Sequence, residues 1–282
     1  MAKRLISAAI AIPLGILVLY IDNVYVLTAL ISVLSALATY EIFVATKYLK
    51  NIPVTIVSLA FVAFVPFAFV LQPVREKIPY MCVGFLFTLF IIMIFMHEKV
   101  KFEQVALVAF ISVCIPLAMG SLVFTRITFY EHGIFYIVFI LVSALIGDAG
   151  AYFIGTFFGK HKMAPTISPK KSWEGFFGGI VTSGIFGILM GFAYQWIDYL
   201  TTGTHHFAVN IWFMFVISLI CSVLGVVGDF SASILKRQCM VKDFGHILPG
   251  HGGVLDRFDS VLFVAPFVYL VLKIYQPVTA II

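Results

Sequence analysis

Long apolar runs broken by short polar or Pro/Gly punctuation fill this chain. They lie at 5–21, 24–45, 52–71, 80–96, 105–124, 134–157, 175–196, 210–228 and 261–276. Polarity does not alternate within them, so they do not read as barrel strands. Each approaches the ~20 residues a helix needs to cross a hydrocarbon core. In hydrocarbon only a helix satisfies its own backbone groups. The pattern therefore predicts an all-α, polytopic integral membrane protein with about nine transmembrane helices. The first run follows Lys3 and Arg4, as a signal peptide would. No small-residue cleavage site closes it and another run follows at once, so it is expected to stay as a span.

Composition agrees. Of 282 residues, 62% are apolar and 11% charged, and mean hydropathy is +1.10. Soluble domains sit near 45–50% apolar and 25% charged, and disordered chains are polar. The net charge of +5 falls mostly in short gaps between apolar runs, which suits lipid head groups and topology and gives no reason to expect nucleic acid. With alternating loops, 14 of the 18 Lys and Arg residues share the side of the N-terminus and four lie opposite. The positive-inside rule then puts the N-terminus in the cytoplasm. Cys82, Cys114, Cys221 and Cys239 form no CxxC pair, so neither a disulfide framework nor a zinc site is expected.

Polar chemistry is unevenly spread. Residues 1–135 read as membrane helices without clustered chemistry, their polar residues serving as topology signals, and residues 136–282 read as the catalytic region. Asp148 sits inside the sixth run, in IGDAGAYFIG. An acid at a helix centre costs at least ~2.5–3.5 kcal/mol on insertion scales, so it marks either a polar cavity or an interhelical hydrogen bond. Asp229 ends the eighth run, in GVVGDFSASILKR. No glycine or proline follows before Ser233, Lys236 and Arg237, so that helix is expected to run on past the membrane.

In ISPKKSWEGFFGG, Ser168-Pro169 reads as a turn and Ser172 as the cap of a helix starting at Trp173. Lys170 and Lys171 just before that helix would make an anion site. Gly175 and Gly179 form a GxxxG pair, read as helix packing. The segment VKDFGHILPGHGGVLDRFDS holds Lys242, Gly250, His251, Gly252, Gly253, Asp256, Arg257 and Asp259. Its glycines permit close backbone approach to a ligand. Asp256 and Asp259, three apart, would share a helix face.

Carboxylates at Asp148, Asp229 and Asp256 are hard ligands suited to Mg²⁺, which commonly bridges protein acids and phosphates. Lysines, Arg257 and backbone amides would carry the remaining phosphate charge. This is chemistry for phosphoryl or nucleotidyl transfer at a membrane face. The Walker-like stretch from Gly155 to His161 is one residue short, with His161 in place of Ser or Thr, and neither HExxH nor GxSxG occurs. An ion-coupled transporter would also explain an intramembrane acid, though it would show broken helices or inverted repeats. A lipid kinase and a plain scaffold also stay open.

The 27 residues SILKRQCMVKDFGHILPGHGGVLDRFD, from Ser233 to Asp259, resemble the signature of the phosphatidate cytidylyltransferase (CDP-diacylglycerol synthase) family. Ser233, Lys236, Arg237, Lys242, Asp243, His251, Gly252, Gly253, Asp256, Arg257 and Asp259 all fit it. SPKKSWEG and the surroundings of Asp148 are similar to family segments too. The resemblance implies an inner-membrane enzyme, open to the cytoplasm and dimeric, that joins CTP to phosphatidic acid with Mg²⁺ and leaves room for a second cation. It implies catalytic roles for Asp229, Asp256, Lys236, Arg237, His251 and Arg257. Substrate or cofactor binding would fall to Lys170, Lys171, Lys242, Ser233, Gly252 and Gly253, and metal binding to Asp148, Asp229 and Asp256.

Overall fold

The computed structural model describes residues 2–245 and 252–281. Every apolar run lies in a helix. In chain order come α1 (Ala2–Ile21), α2 (Val24–Ala45), α3 (Ile52–Val70), the four-residue α4 (Gln72–Arg75), α5 (Ile78–Phe95), α6 (Phe102–Thr128) and α7 (Gly133–Phe158). Then β1 (Lys162–Ala164) and β2 (Ser168–Ser172) lead into α8 (Trp173–Thr202), and β3 (Phe207–Val209) precedes α9 (Ile211–Gln238). The short α10 (Leu255–Phe258), α11 (Val261–Ile274) and β4 (Val278–Ala280) follow.

Among the described residues, seven helices (α2, α3 and α5 to α9) are long and apolar enough to cross a membrane. Helix α11, expected as the ninth span, has 14 residues, about 21 Å at 1.5 Å per residue. Tyr275 is already extended, and Gln276 precedes Pro277, a position that disfavours the helical region. The exposed faces carry large apolar side chains, as on α5 with Tyr80, Phe87, Ile91, Ile94 and Phe95. Such a surface suits lipid, since soluble monomers rarely expose apolar patches of that extent.

The chain divides into two compact units, Met1–Ile127 with Lys236–Phe258, and Thr128–Leu235 with Asp259–Ile282. In the first, α2 and α3 pack closely, and the Ser32 hydroxyl donates to the Ala63 carbonyl at 2.5 Å. Phe43, Val54, Phe85, Leu89, Val105 and Val108 share a core, with Phe61 stacked on Phe85 at 4.1 Å between ring centroids. Arg126, buried near the end of α6, pairs with Asp22.

In the second unit α7 and α8 form a helical hairpin built on small residues. A Cβ on Gly179 would come within 2.7 Å of the Gly147 carbonyl oxygen, and one on Gly175 within 2.6 Å of that of Ala151. GxxxG thus serves packing, as expected. The connection between these helices is not the plain loop that Ser168-Pro169 suggested. Ser168–Ser172 is a strand pairing antiparallel with Lys162–Ala164, and the reversal falls at 165–167. A second antiparallel pair joins Phe207–Val209 to Val278–Ala280.

Candidate active site

Each unit presents a carboxylate–lysine pair, and both pairs lie in the segments singled out above. Helix α9, which lies in the second unit up to Leu235, continues to Gln238 because nothing in FSASILKRQ breaks it. It carries Asp229 one turn before Ser233, whose hydroxyl points at Asp229 Oδ1 from 3.4 Å. Strand β2 delivers Lys171 to the same carboxylate, Nζ to Oδ2 at 2.5 Å. That ammonium is off the line a hydrogen bond needs, so the contact is an ion pair, and it also lies 4.4 Å from the centroid of the Phe230 ring. Strand alternation separates the two lysines: Lys170 is exposed, while Lys171 is half-buried. Next to each other on β2, they face opposite sides of the strand just before α8. Ser172 does cap α8, accepting from the Gly175 amide at 3.2 Å.

Asp148 lies in the same unit, close enough to Asp229 and Lys171 to feel both charges. Its Oδ2 accepts from the Ser260 hydroxyl at 3.2 Å, and Ser260 is equally near the Gly225 carbonyl. Gly228 opposes this turn closely enough that a Cβ would strike the Asp259 carbonyl. Gly155 and Gly159 of the Walker-like stretch face Ser172, so they serve packing and do not form a phosphate loop.

In the first unit Lys236 Nζ donates to Asp256 Oδ1 at 2.8 Å, with the Phe244 ring beside the ammonium. Asp256 Oδ2 accepts the Phe244 and Gly253 amides, both at 3.0 Å. Gly252 has φ +86°, where an L side chain is strained. Asp256 and Asp259 do not share a helix face as the spacing suggested. Helix α10 ends at Phe258, and Asp259 is buried and accepts the Ser260 amide at 2.8 Å. Arg237, Lys242 and Arg257 are exposed. His251 lies outside the described residues.

Glu41 on α2 was passed over in the sequence. It is 1% exposed, and its carboxylate accepts the Val254 amide at 2.8 Å and the Leu255 amide at 2.9 Å. The available signal was a single acid inside an apolar helical run, the same signal that marked Asp148.

The donor set fits a hard divalent cation of a particular kind. Among the described residues no three His, Cys, Asp or Glu side chains converge as ligands. Mg²⁺ needs no such cage, taking one or two carboxylates and completing its shell with water and phosphate. Asp148 and Asp229 suit that role. Asp256 already directs its oxygens to Lys236, Phe244 and Gly253.

Comparison with known proteins bears on both pairs. A family model described as "Cytidylyltransferase family" matches residues 2–275. A phosphatidate cytidylyltransferase of Staphylococcus haemolyticus is 44% identical over 142 residues, 50% of either chain. One of Staphylococcus aureus is 42% identical over 147 residues, covering 51% of this chain and 52% of that one. One of Bacillus subtilis is 38% identical over 176 residues, covering 62% and 61%. The chain thus spans about half the length of the first of these relatives and under two thirds of the last. With the family match running almost from end to end, the chain belongs to the cytidylyltransferase family.

Proposed function

We propose that this protein makes CDP-diacylglycerol and pyrophosphate from CTP and phosphatidic acid, at the cytoplasmic face of the cell membrane. What carries the proposal is that one family match runs across both carboxylate–lysine pairs, in relatives whose names specify a phosphatidate substrate.

The reaction joins two anions. An oxygen of the lipid phosphate forms a bond to the α-phosphorus of CTP, the bond from that phosphorus to the β-phosphate oxygen breaks, and pyrophosphate leaves. The lipid phosphate is anionic near neutral pH, so no strong base is required. Repulsion between substrates is the barrier to overcome, and fixed positive charge overcomes it. Lys171 and Lys236 are held by carboxylates and pack on aromatic rings, so their ammonium groups are oriented before a phosphate arrives. Lys170 in the second unit and Arg237, Lys242 and Arg257 in the first, all exposed, are the further cationic groups that the resemblance assigns to the substrates. Asp148 and Asp229 would hold Mg²⁺, which when bound neutralises phosphate charge. Ser233 and Ser260 keep those two carboxylates in place. Gly252 and Gly253 shape the turn that presents Asp256. The resemblance stated above also suggests a homodimer.

The test uses the full chain purified in detergent with labelled CTP, phosphatidic acid and Mg²⁺. A CDP-lipid with equimolar pyrophosphate is the expected product. Release of CDP with a diphosphorylated lipid would replace this proposal with a lipid kinase, and no nucleotide turnover would overturn it.

A further inference from the structure

We infer that Glu41 is a positioning residue for the turn that carries Asp256, so that an acid within the second helix sets the geometry of the Lys236–Asp256 pair. The inference rests on the function proposed above.

Three consecutive amides of the turn end on carboxylates. Gly253 N–H goes to Asp256 Oδ2, Val254 N–H to Glu41 Oε1 and Leu255 N–H to Glu41 Oε2. The two acids therefore hold one short stretch of backbone, Glu41 taking the amides adjoining the one that Asp256 takes. The sequence makes room for this. A Cβ on Gly245 would fall 2.7 Å from Glu41 Oε1, and one on Gly253 would overlap the Glu41 carboxylate outright. Among the described residues no cationic side chain pairs with Glu41. The backbone is its described partner, and a buried carboxyl group without a partner is otherwise costly. A residue kept only for helix packing would gain more from an apolar side chain. A carboxylate is required where two adjacent N–H groups need two acceptor oxygens, as Val254 and Leu255 do.

The consequence is chemical as well as structural. Asp256 accepts the amides of Phe244 and Gly253 through one oxygen and the Lys236 ammonium through the other. Rotation of the 253–255 peptides would turn the Gly253 amide away and let Asp256 swing, moving the ammonium with it. Small displacements of a phosphate-binding charge cost rate, up to about a hundredfold for an ångström.

The test compares Glu41→Gln with the unmodified chain in detergent. The glutamine keeps the shape but leaves one N–H without an acceptor. The expected result is a turnover number down by about ten- to a hundredfold with KM for CTP nearly unchanged. In an Asp256→Asn background the same substitution should cost little more, since both changes act through one group. Hydrogen–deuterium exchange of the Val254 and Leu255 amides, which Glu41 accepts, should quicken as the turn loosens. Should Glu41→Gln not accumulate as folded protein, Glu41→Asp, which keeps both acceptor oxygens on a shorter stem, is read in its place. Normal turnover in Glu41→Gln, or losses that add fully to those of Asp256→Asn, would overturn the inference. If the unmodified chain makes no CDP-lipid, the proposed function fails by itself. Exchange at the Val254 and Leu255 amides still reports whether Glu41 holds the turn, and an unchanged exchange rate would overturn that.

Discussion

The ammonium of Lys171, on a two-stranded hairpin, stands 2.5 Å from the carboxylate of Asp229, on a helix that begins eighteen residues earlier at Ile211. Neither strand nor helix alone brings a cation to an acid there. The pairing leaves Asp229 half-buried with an ammonium against its carboxylate.

Asp229→Asn should therefore lower CDP-lipid formation by about a hundredfold or more, the scale of losing one fixed electrostatic group. The protein should keep its thermal midpoint in detergent. Near-normal turnover would remove Asp229 from the chemistry. Lys171→Met should raise KM for the lipid or the nucleotide and leave Asp229 less restrained.

Lys236 and Asp256 should behave as a unit. Asp256→Asn and Lys236→Met each remove a charge from the same pair, so each should depress turnover strongly. Their combination should be little worse than the worse single change. Steady-state rates for the four proteins of the cycle decide it, and full additivity would show that the ion pair is incidental.

Packing of α7 on α8 makes a stability prediction. Gly179→Val places a branched side chain against the Gly147 carbonyl and should cost about 1–3 kcal/mol, the usual scale of overpacking. Gly84→Ala is the control. Nothing lies within 4 Å of its added Cβ, and removing a mid-helix glycine should stabilise by roughly 0.5–1 kcal/mol. Thermal unfolding of the two proteins in one detergent reads both.

His132 predicts a pH dependence. It stands just before α7 at the N-cap position, with Nδ1 2.9 Å from the Tyr194 hydroxyl oxygen. Burial holds its imidazole below the ordinary value of 6.5, while Glu131 and Asp198 pull the other way. The folded protein thus takes up this proton less readily than the unfolded chain. The His132 contribution is present above about pH 6.5 and is lost as pH falls through that value toward the lower folded pKa. The thermal midpoint should drop between about pH 7 and pH 5.5, and His132→Gln should flatten that drop. An equal slope in both proteins would assign it elsewhere.

Much of this could be read in the chain beforehand. Helices at all nine apolar runs followed from hydropathy, because a span in hydrocarbon has one economical backbone solution. The continuation of α9 past Asp229 followed from the lack of any breaker, and the Ser172 cap from its side chain. The hairpin at Lys162–Ser172 was missed, because three- and five-residue strands leave too little pattern and Ser168-Pro169 mimics a turn. Glu41 was missed because its partners, Val254 and Leu255, lie more than two hundred residues away and offer only backbone amides, which have no sequence signature.

The sequence by itself settled the helical membrane character, the positions of its runs and the two acid- and lysine-bearing segments. All of these depend on local composition and spacing. Tertiary structure alone decided which lysine meets which acid, that Gly245 and Gly253 make room for a carboxylate on α2, and that Asp259 parts from Asp256 where α10 stops. Those outcomes depend on contacts between segments distant along the chain, set by the packing of whole helices and invisible to any local pattern.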